Sequence, residues 1–183
     1  MAGNKCSGRV LLSDFIELGF YRVNMKYESF DAIYHRAAER KGGESALEML
    51  LPGPLTNTQL ASISDDRFLA QFTKSIFQSG FVWRVIHNKW PDFEEVFWEF
   101  DIEKLLLMPA DMLERKSQDT RIVRNFTKVK TVPANAQMIR NVQKEHGSFA
   151  QFIADWPEED IVGLWLYLKK HGERLGGTQG RMR

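Results

Sequence analysis

Apolar residues recur at helical spacing along most of the chain from Tyr27 onward, and no stretch alternates as a half-buried strand would. Phe30, Ile33, Tyr34, Ala37 and Ala38 make the first stripe, which Gly42 and Gly43 close. Glu44 to Leu51 reads as a short helix that stops at LPGPLT, where two prolines make a rigid turn. TNTQLASIS offers a brief helical segment. Asp65 and Asp66 then open a longer helix, their carboxylates suited to its positive end, with Phe68, Leu69, Phe72, Ile76 and Phe77 facing inward.

The next segment, QSGFVWRVIHNKWP from Gln78 to Pro91, carries Phe81, Val82, Val85, Ile86 and Trp90 in one stripe, and that face is expected to join the core. Pro91 should start the helix PDFEEVFWEF, Asp101 should cap DIEKLLLM, and Pro109 should begin ADMLERKSQD. In the run ending at Gly147 the apolar positions are Ile122, Val123, Phe126, Val129, Val132, Met138, Ile139 and Val142. Pro133 is expected to kink or divide that helix. Ser148 with Gln151 predicts a capping box for SFAQFIADW, and Gly172 predicts a C-terminal glycine cap after WPEEDIVGLWLYLKKH. The expectation is an all-α, compact bundle of roughly eight to ten short helices of about 8 to 15 residues. Residues 1–26 read as a divergent leader with one apolar run, LLSDFIELGFY, ahead of a helical domain over 27–183.

Composition narrows the chemistry rather than naming it. Lys and Arg total 25 against 24 Asp and Glu, a net charge of +1, so overall charge selects no partner. The single cysteine, Cys6, excludes an internal disulfide and a cysteine-rich zinc site, and no histidine lies near it in the sequence to activate it as a nucleophile. The four histidines, 35, 87, 146 and 171, lack ligand spacing, so neither metal nor cofactor is expected. Without an apolar run of about 18 residues or a secretion signal, the reading is a cytoplasmic protein with no membrane association, and a monomer. Asp65 with Asp66, and Glu94 with Glu95, are adjacent pairs whose side chains diverge on a helix, which argues against an acid-base dyad.

Trp83 falls off the apolar stripe, just after a glycine that permits close approach to the backbone. It either walls a site for a flat ring or packs on a neighbouring helix. The tail LKKHGERLGGTQG looks like a helix, a tight glycine hairpin and the start of another helix. Its backbone N–H groups at Gly172, Gly176, Gly177 and Thr178, with Lys169, Lys170 and Arg174, suit a phosphate; a helix cap followed by a solvated basic turn would look the same. In RIVRNFTK, Arg121, Arg124, Asn125 and Lys128 either contact phosphates or form a solvated face.

Taken in order, AIYHRAAERKGG, FTKSIFQSGFVWRVIHNKWPDFEEVFWEFD, QDTRIVRNFTKVKTVPANAQMI, GSFAQFIADW and GLWLYLKKHGERLGG resemble the 3-methyladenine DNA glycosylase I family of the helix-hairpin-helix glycosylases, over roughly Phe30 to Gly177. The resemblance implies a repair enzyme that hydrolyses the N-glycosidic bond of 3-methyladenine in alkylated double-stranded DNA by base flipping. Trp83 matches the family's aromatic pocket wall, Tyr34 the tyrosine of its Tyr-His pair, and Gln78 its amide position. Where well-known members carry a base-reading glutamate, three residues before Gln78, this chain has Ser75, which can hydrogen-bond but cannot neutralise a cation. The family's hairpin leads into a full second helix, whereas this sequence ends at GGTQGRMR, so an incomplete helix-hairpin-helix, lower stability and weak DNA binding are expected. The competing expectation is a catalytically silent helical module that binds DNA or a protein through the same cleft.

Overall fold

The computed structural model describes residues 28–51, 53 and 55–176, so the leader, Gly177 and Thr178 lie outside the described residues. The chain divides into two compact units, the first ending at Gly53 and the second beginning at Pro54, within the proline-rich turn.

In the first unit, α1 (Phe30–Lys41) begins at Ser29, whose hydroxyl accepts the Ala32 N–H at 3.3 Å. It ends at Gly42, in the left-handed region at φ 92°, where a residue with a side chain would be strained. The second helix, α2 (Glu44–Glu48), stops short of the expected Leu51, leaving Leu50 and Leu51 in an exposed turn. Its last residue, Glu48, accepts the Tyr34 hydroxyl at 2.6 Å and so ties the two helices together.

The second unit begins with α3 (Asn57–Ala61), opened by a reciprocal capping box between Thr56 and Gln59. It continues with α4 (Asp65–Gln78), α5 (Trp83–Asn88), α6 (Trp90–Val96), a 3-10 turn (Trp98–Phe100), α7 (Ile102–Leu106) and α8 (Ala110–Ser117). Then follow α9 (Phe126–Val129), α10 (Thr131–His146), α11 (Phe149–Ala154) and α12 (Ile161–His171). Among the described residues there is no strand, and there are twelve α-helices, more and shorter than the sequence suggested. Tight turns cut single periodic stretches into two.

Helices α4 and α10 form the centre of the second unit's core. The first buries Phe68, Leu69, Phe72, Ile76 and Phe77, and the second buries Val132, Ala136, Met138, Ile139 and Val142, as their spacing requires. Aromatic edges lock the layers together: Phe77 meets Phe93 at 4.7 Å between centroids, and Phe149 meets Phe68 at 5.3 Å and Phe72 at 5.7 Å. Full burial of each such side chain stabilises by about 1.5–3 kcal/mol.

PDFEEVFWEF is not one helix. After Val96 the chain turns left-handed, with φ of 53°, 56° and 63° at Trp98, Glu99 and Phe100, a conformation costing roughly 1–2 kcal/mol per residue. Contacts on both sides offset that cost. Phe100 stacks on Trp90 at 5.5 Å, the Lys116 ammonium sits 3.8 Å above the Trp98 ring, and Arg67 donates to the Glu99 carbonyl while pairing with Glu94 at 3.1 Å.

Pro133 does not kink a helix either. The division falls before it, at Lys130, and Pro133 occupies the first turn of α10, where its missing N–H would have had no intrahelical acceptor. The predicted capping box at Ser148 is half formed: its hydroxyl accepts the Gln151 N–H at 2.9 Å, but the Gln151 amide donates to Asp155 instead. Asp65, expected to serve its own helix, instead accepts the first two N–H groups of α11, Phe149 at 2.8 Å and Ala150 at 2.9 Å.

Candidate DNA-binding and base-recognition site

Helix α4 runs out at Gln78, and the chain turns through Gly80 at φ 68° before α5 starts at Trp83. The Ser79 N–H donates to the Ser75 carbonyl and the Phe81 N–H to the Gln78 carbonyl, each at 3.1 Å, which closes the turn. Phe81 and Val82 therefore precede the helix instead of riding on its buried face. They are 43 % and 62 % exposed, Val85 is also exposed, and of the expected stripe only Ile86 is fully buried, with Trp90 partly so. Trp83 is 50 % exposed, so Phe81, Val82 and Trp83 present consecutive apolar surface after the glycine.

Beside this turn, Ser75 is half-buried and its hydroxyl meets the Gln71 amide at 3.5 Å, while Gln78 is half-buried on the last turn of α4. Lys128 reaches in from α9. Its ammonium donates to the Ser79 carbonyl at 2.7 Å and the Phe77 carbonyl at 3.2 Å, and burial, together with the charge of Arg174, pushes its pKa down. Of the basic cluster in RIVRNFTK, Lys128 thus points inward, and Asn125 caps α9 by accepting the Lys128 N–H at 3.1 Å. Arg121 pairs with Glu95 at 2.6 Å and Asp119 at 2.8 Å. Those hydrogen bonds, from Asp119 first, raise its pKa further. Arg124 is exposed.

The hairpin after α12 is held from within. Buried Asn135 donates to the Glu173 carbonyl at 3.1 Å and accepts the Glu173 N–H at 2.7 Å, and Leu175 is fully buried. This anchoring leaves Lys169, Lys170 and Arg174 on the surface. Gly172 ends α12 but is extended, at φ −97°, and is not the left-handed cap the sequence suggested. What it needs is space: a Cβ there would lie 2.5 Å from Leu175 Cδ1 and 2.9 Å from the Leu168 carbonyl oxygen. A Cβ on Gly176 would likewise lie 2.9 Å from Lys169 Cγ.

Tyr34 belongs to the first unit and Trp83 to the second. The Tyr34 ring is half-buried beside Phe30, at 6.1 Å, and its hydroxyl is engaged by Glu48, a bond that, with partial burial and the nearby carboxylates, pushes its pKa up to about 12. His35 faces Glu44 at 3.4 Å. Among the described residues no group of three or more His, Cys, Asp or Glu could hold a metal ion, and no helix is long and apolar enough to cross a membrane.

Sequence reasoning missed Lys128, Asn135 and Asp65 as organisers of this region. One signal was present: Asn135 lies among the buried positions of α10, a polar residue on an apolar stripe that needed a partner.

The model of the methyladenine glycosylase family matches residues 60–170, a span from α3 into α12 that contains the Ser75 to Trp83 turn. This chain belongs to the methyladenine glycosylase family. Solved structures similar to this family member include 3-methyladenine DNA glycosylase I from Staphylococcus aureus, at 20% identity and a TM-score of 0.58, covering 80% of this chain and 86% of that one. Another is a tyrosine-to-phenylalanine variant of 3-methyladenine DNA glycosylase I in complex with 3-methyladenine, also at 20% identity and 0.58, covering 78% and 85%. A further 3-methyladenine DNA glycosylase I matches at 22% identity and 0.54, covering 63% and 74%. At these identities the likeness establishes the shared all-α glycosylase fold. Comparison with curated proteins gave no match.

Proposed function

We propose that this protein is a DNA-3-methyladenine glycosylase, a hydrolase that removes 3-methyladenine from alkylated double-stranded DNA. The observation that carries this reading is Trp83, held half-exposed at the start of α5 behind the Gly80 turn in a member of the methyladenine glycosylase family. Adenine methylated at ring nitrogen 3 is cationic in the nucleotide, which weakens its bond to the sugar and draws it to an aromatic face. The protein's main task is to turn the nucleotide out of the helix and hold the base against Trp83, with the Gln78 amide and Ser75 hydroxyl as hydrogen-bonding groups. Water then attacks the sugar carbon, and the base departs neutral, so little acid catalysis is needed. Lys169, Lys170, Arg174 and Arg124 hold the phosphates, since the Gly172 and Glu173 N–H groups of the hairpin are taken by the Leu168 carbonyl and Asn135. Arg121 is already paired with the Glu95 and Asp119 carboxylates and stands outside that set. The protein acts as a monomer in the cytoplasm.

Release of 3-methyladenine from methylated duplex DNA tests this directly. The chain should release the base, and Trp83→Ala should slow release by roughly ten- to a hundredfold, the ~1–3 kcal/mol of one base–aromatic stack. No release above background from the folded protein would overturn the enzymatic reading and leave the DNA- or protein-binding module.

A further inference from the structure

The turn that presents Trp83 is fastened from outside α4 and α5. Lys128 directs its ammonium onto the carbonyls of Phe77 and Ser79, which flank Gln78, and sits 5.8 Å from the centre of the Phe77 ring. Carbonyls at a helix C-terminus lack intrahelical donors and carry partial negative charge, so an ammonium suits them. The connection continues. The Lys128 carbonyl accepts the Thr131 hydroxyl at 2.7 Å, Thr131 is fully buried, and one turn further along α10 Asn135 grips both backbone groups of Glu173 in the hairpin. Two of the three donors of the Lys128 ammonium are therefore committed to the protein's own backbone, the opposite of what a phosphate contact on a solvated face requires.

We propose that Lys128 is a positioning residue for base excision: it fixes the turn bearing Gln78 and Trp83 and, through Thr131 and Asn135, ties that turn to the hairpin. This rests on the glycosylase reading above. Loss of Lys128 then impairs the excision step, where the turn must hold the flipped base, and spares the encounter with DNA.

The test compares Lys128→Met, which keeps the apolar stem without donors, with Lys128→Arg, which restores them. Single-turnover excision at saturating methylated duplex should fall at least about tenfold in the methionine variant, the effect of even one lost hydrogen bond to a charged group, and recover in the arginine variant. Affinity for undamaged duplex, and its dependence on salt, should not change. Amide exchange at Ser79 and Phe81, whose N–H groups close the turn, should accelerate about tenfold, while exchange in the middle of α10 stays at the wild-type rate. Weaker binding with a salt slope shallower by about one ion, together with unchanged exchange at those amides, would make Lys128 a phosphate contact and overturn the proposal. Wild-type excision and exchange in Lys128→Met would overturn it as well. If the wild-type chain releases no base, the glycosylase reading fails, whereas the exchange measurement still decides whether Lys128 fixes the turn. Lys128→Gln, with an amide donor and no charge, supplies the same exchange and salt comparison should the methionine variant not fold.

Discussion

Removing the Asp65 carboxylate tests the long-range architecture of the second unit. Oδ2 accepts the Phe149 N–H at 2.8 Å and the Gln143 side-chain amide at 2.7 Å, and Oδ1 accepts the Ala150 N–H at 2.9 Å. Phe149 and Ala150 are 0 % and 1 % exposed, and the Ser148 hydroxyl is occupied by Gln151, so nothing nearby replaces the lost acceptor. Each buried donor left without a partner costs about 1–3 kcal/mol, whereas loss of an ordinary exposed cap costs about 0.5–2 kcal/mol. Asp65 itself is half-buried and water reaches part of the site, so Asp65→Ala should destabilise the fold by about 2–4 kcal/mol. That corresponds to a fall in Tm of roughly 5–15 °C for a unit of this size. Asp65→Asn keeps one acceptor oxygen but turns an NH2 group toward an N–H donor, and should lose about half as much. Urea unfolding followed by far-ultraviolet circular dichroism measures the difference, with equal m values establishing that the same transition is compared. An Asp65→Ala midpoint within about 0.5 kcal/mol of wild type would mean that solvent serves the start of α11 and that the bond network carries no stability.

Tyr34, whose pKa is raised to about 12 chiefly by its hydrogen bond to Glu48, gives a pH prediction. Because the folded value lies above the ordinary 10.0, its contribution to stability is complete below pH 10 and is lost as pH rises through about 12. In Glu48→Gln, ultraviolet difference titration should show this phenol ionising closer to its ordinary value; identical curves for the two proteins would refute the assignment. Ser75→Glu, which places a carboxylate where the pocket must accept a cation, should raise the 3-methyladenine excision rate about tenfold or more, and an unchanged rate would place Ser75 away from the base. Asn135→Ala frees both backbone groups of Glu173 and should weaken duplex binding about tenfold without changing the salt slope, since it removes no phosphate contact; anisotropy titrations at several salt concentrations check both parts.

Much of this protein was legible in its helical periodicity, because burial of one face is a local pattern. The inward residues of α4, the end of α1 at Gly42, the Asp101 cap and the all-α class all follow from spacing and cap chemistry along a few consecutive residues. The family's ordered motifs likewise stood in the sequence. Errors arose where a turn interrupted a pattern. Gly80 puts Phe81 and Val82 outside α5 and exposes an apolar surface that spacing assigned to the core, and a left-handed turn at Trp98 cuts PDFEEVFWEF, which the sequence presented as one helix from Pro91.

What only the tertiary structure decided is which polar group serves which backbone. Asp65 caps a helix 84 positions away, Lys128 holds a carbonyl 49 positions back, and Asn135 fixes a hairpin 38 positions on. A side chain's charge and donors are written in its residue type, but its partner is set by packing, which brings distant helix ends together and excludes the water that would otherwise satisfy them. Packing likewise decided that Arg121 meets Glu95 and Asp119 while the neighbouring Arg124 is exposed, a difference the sequence RIVRNFTK does not contain.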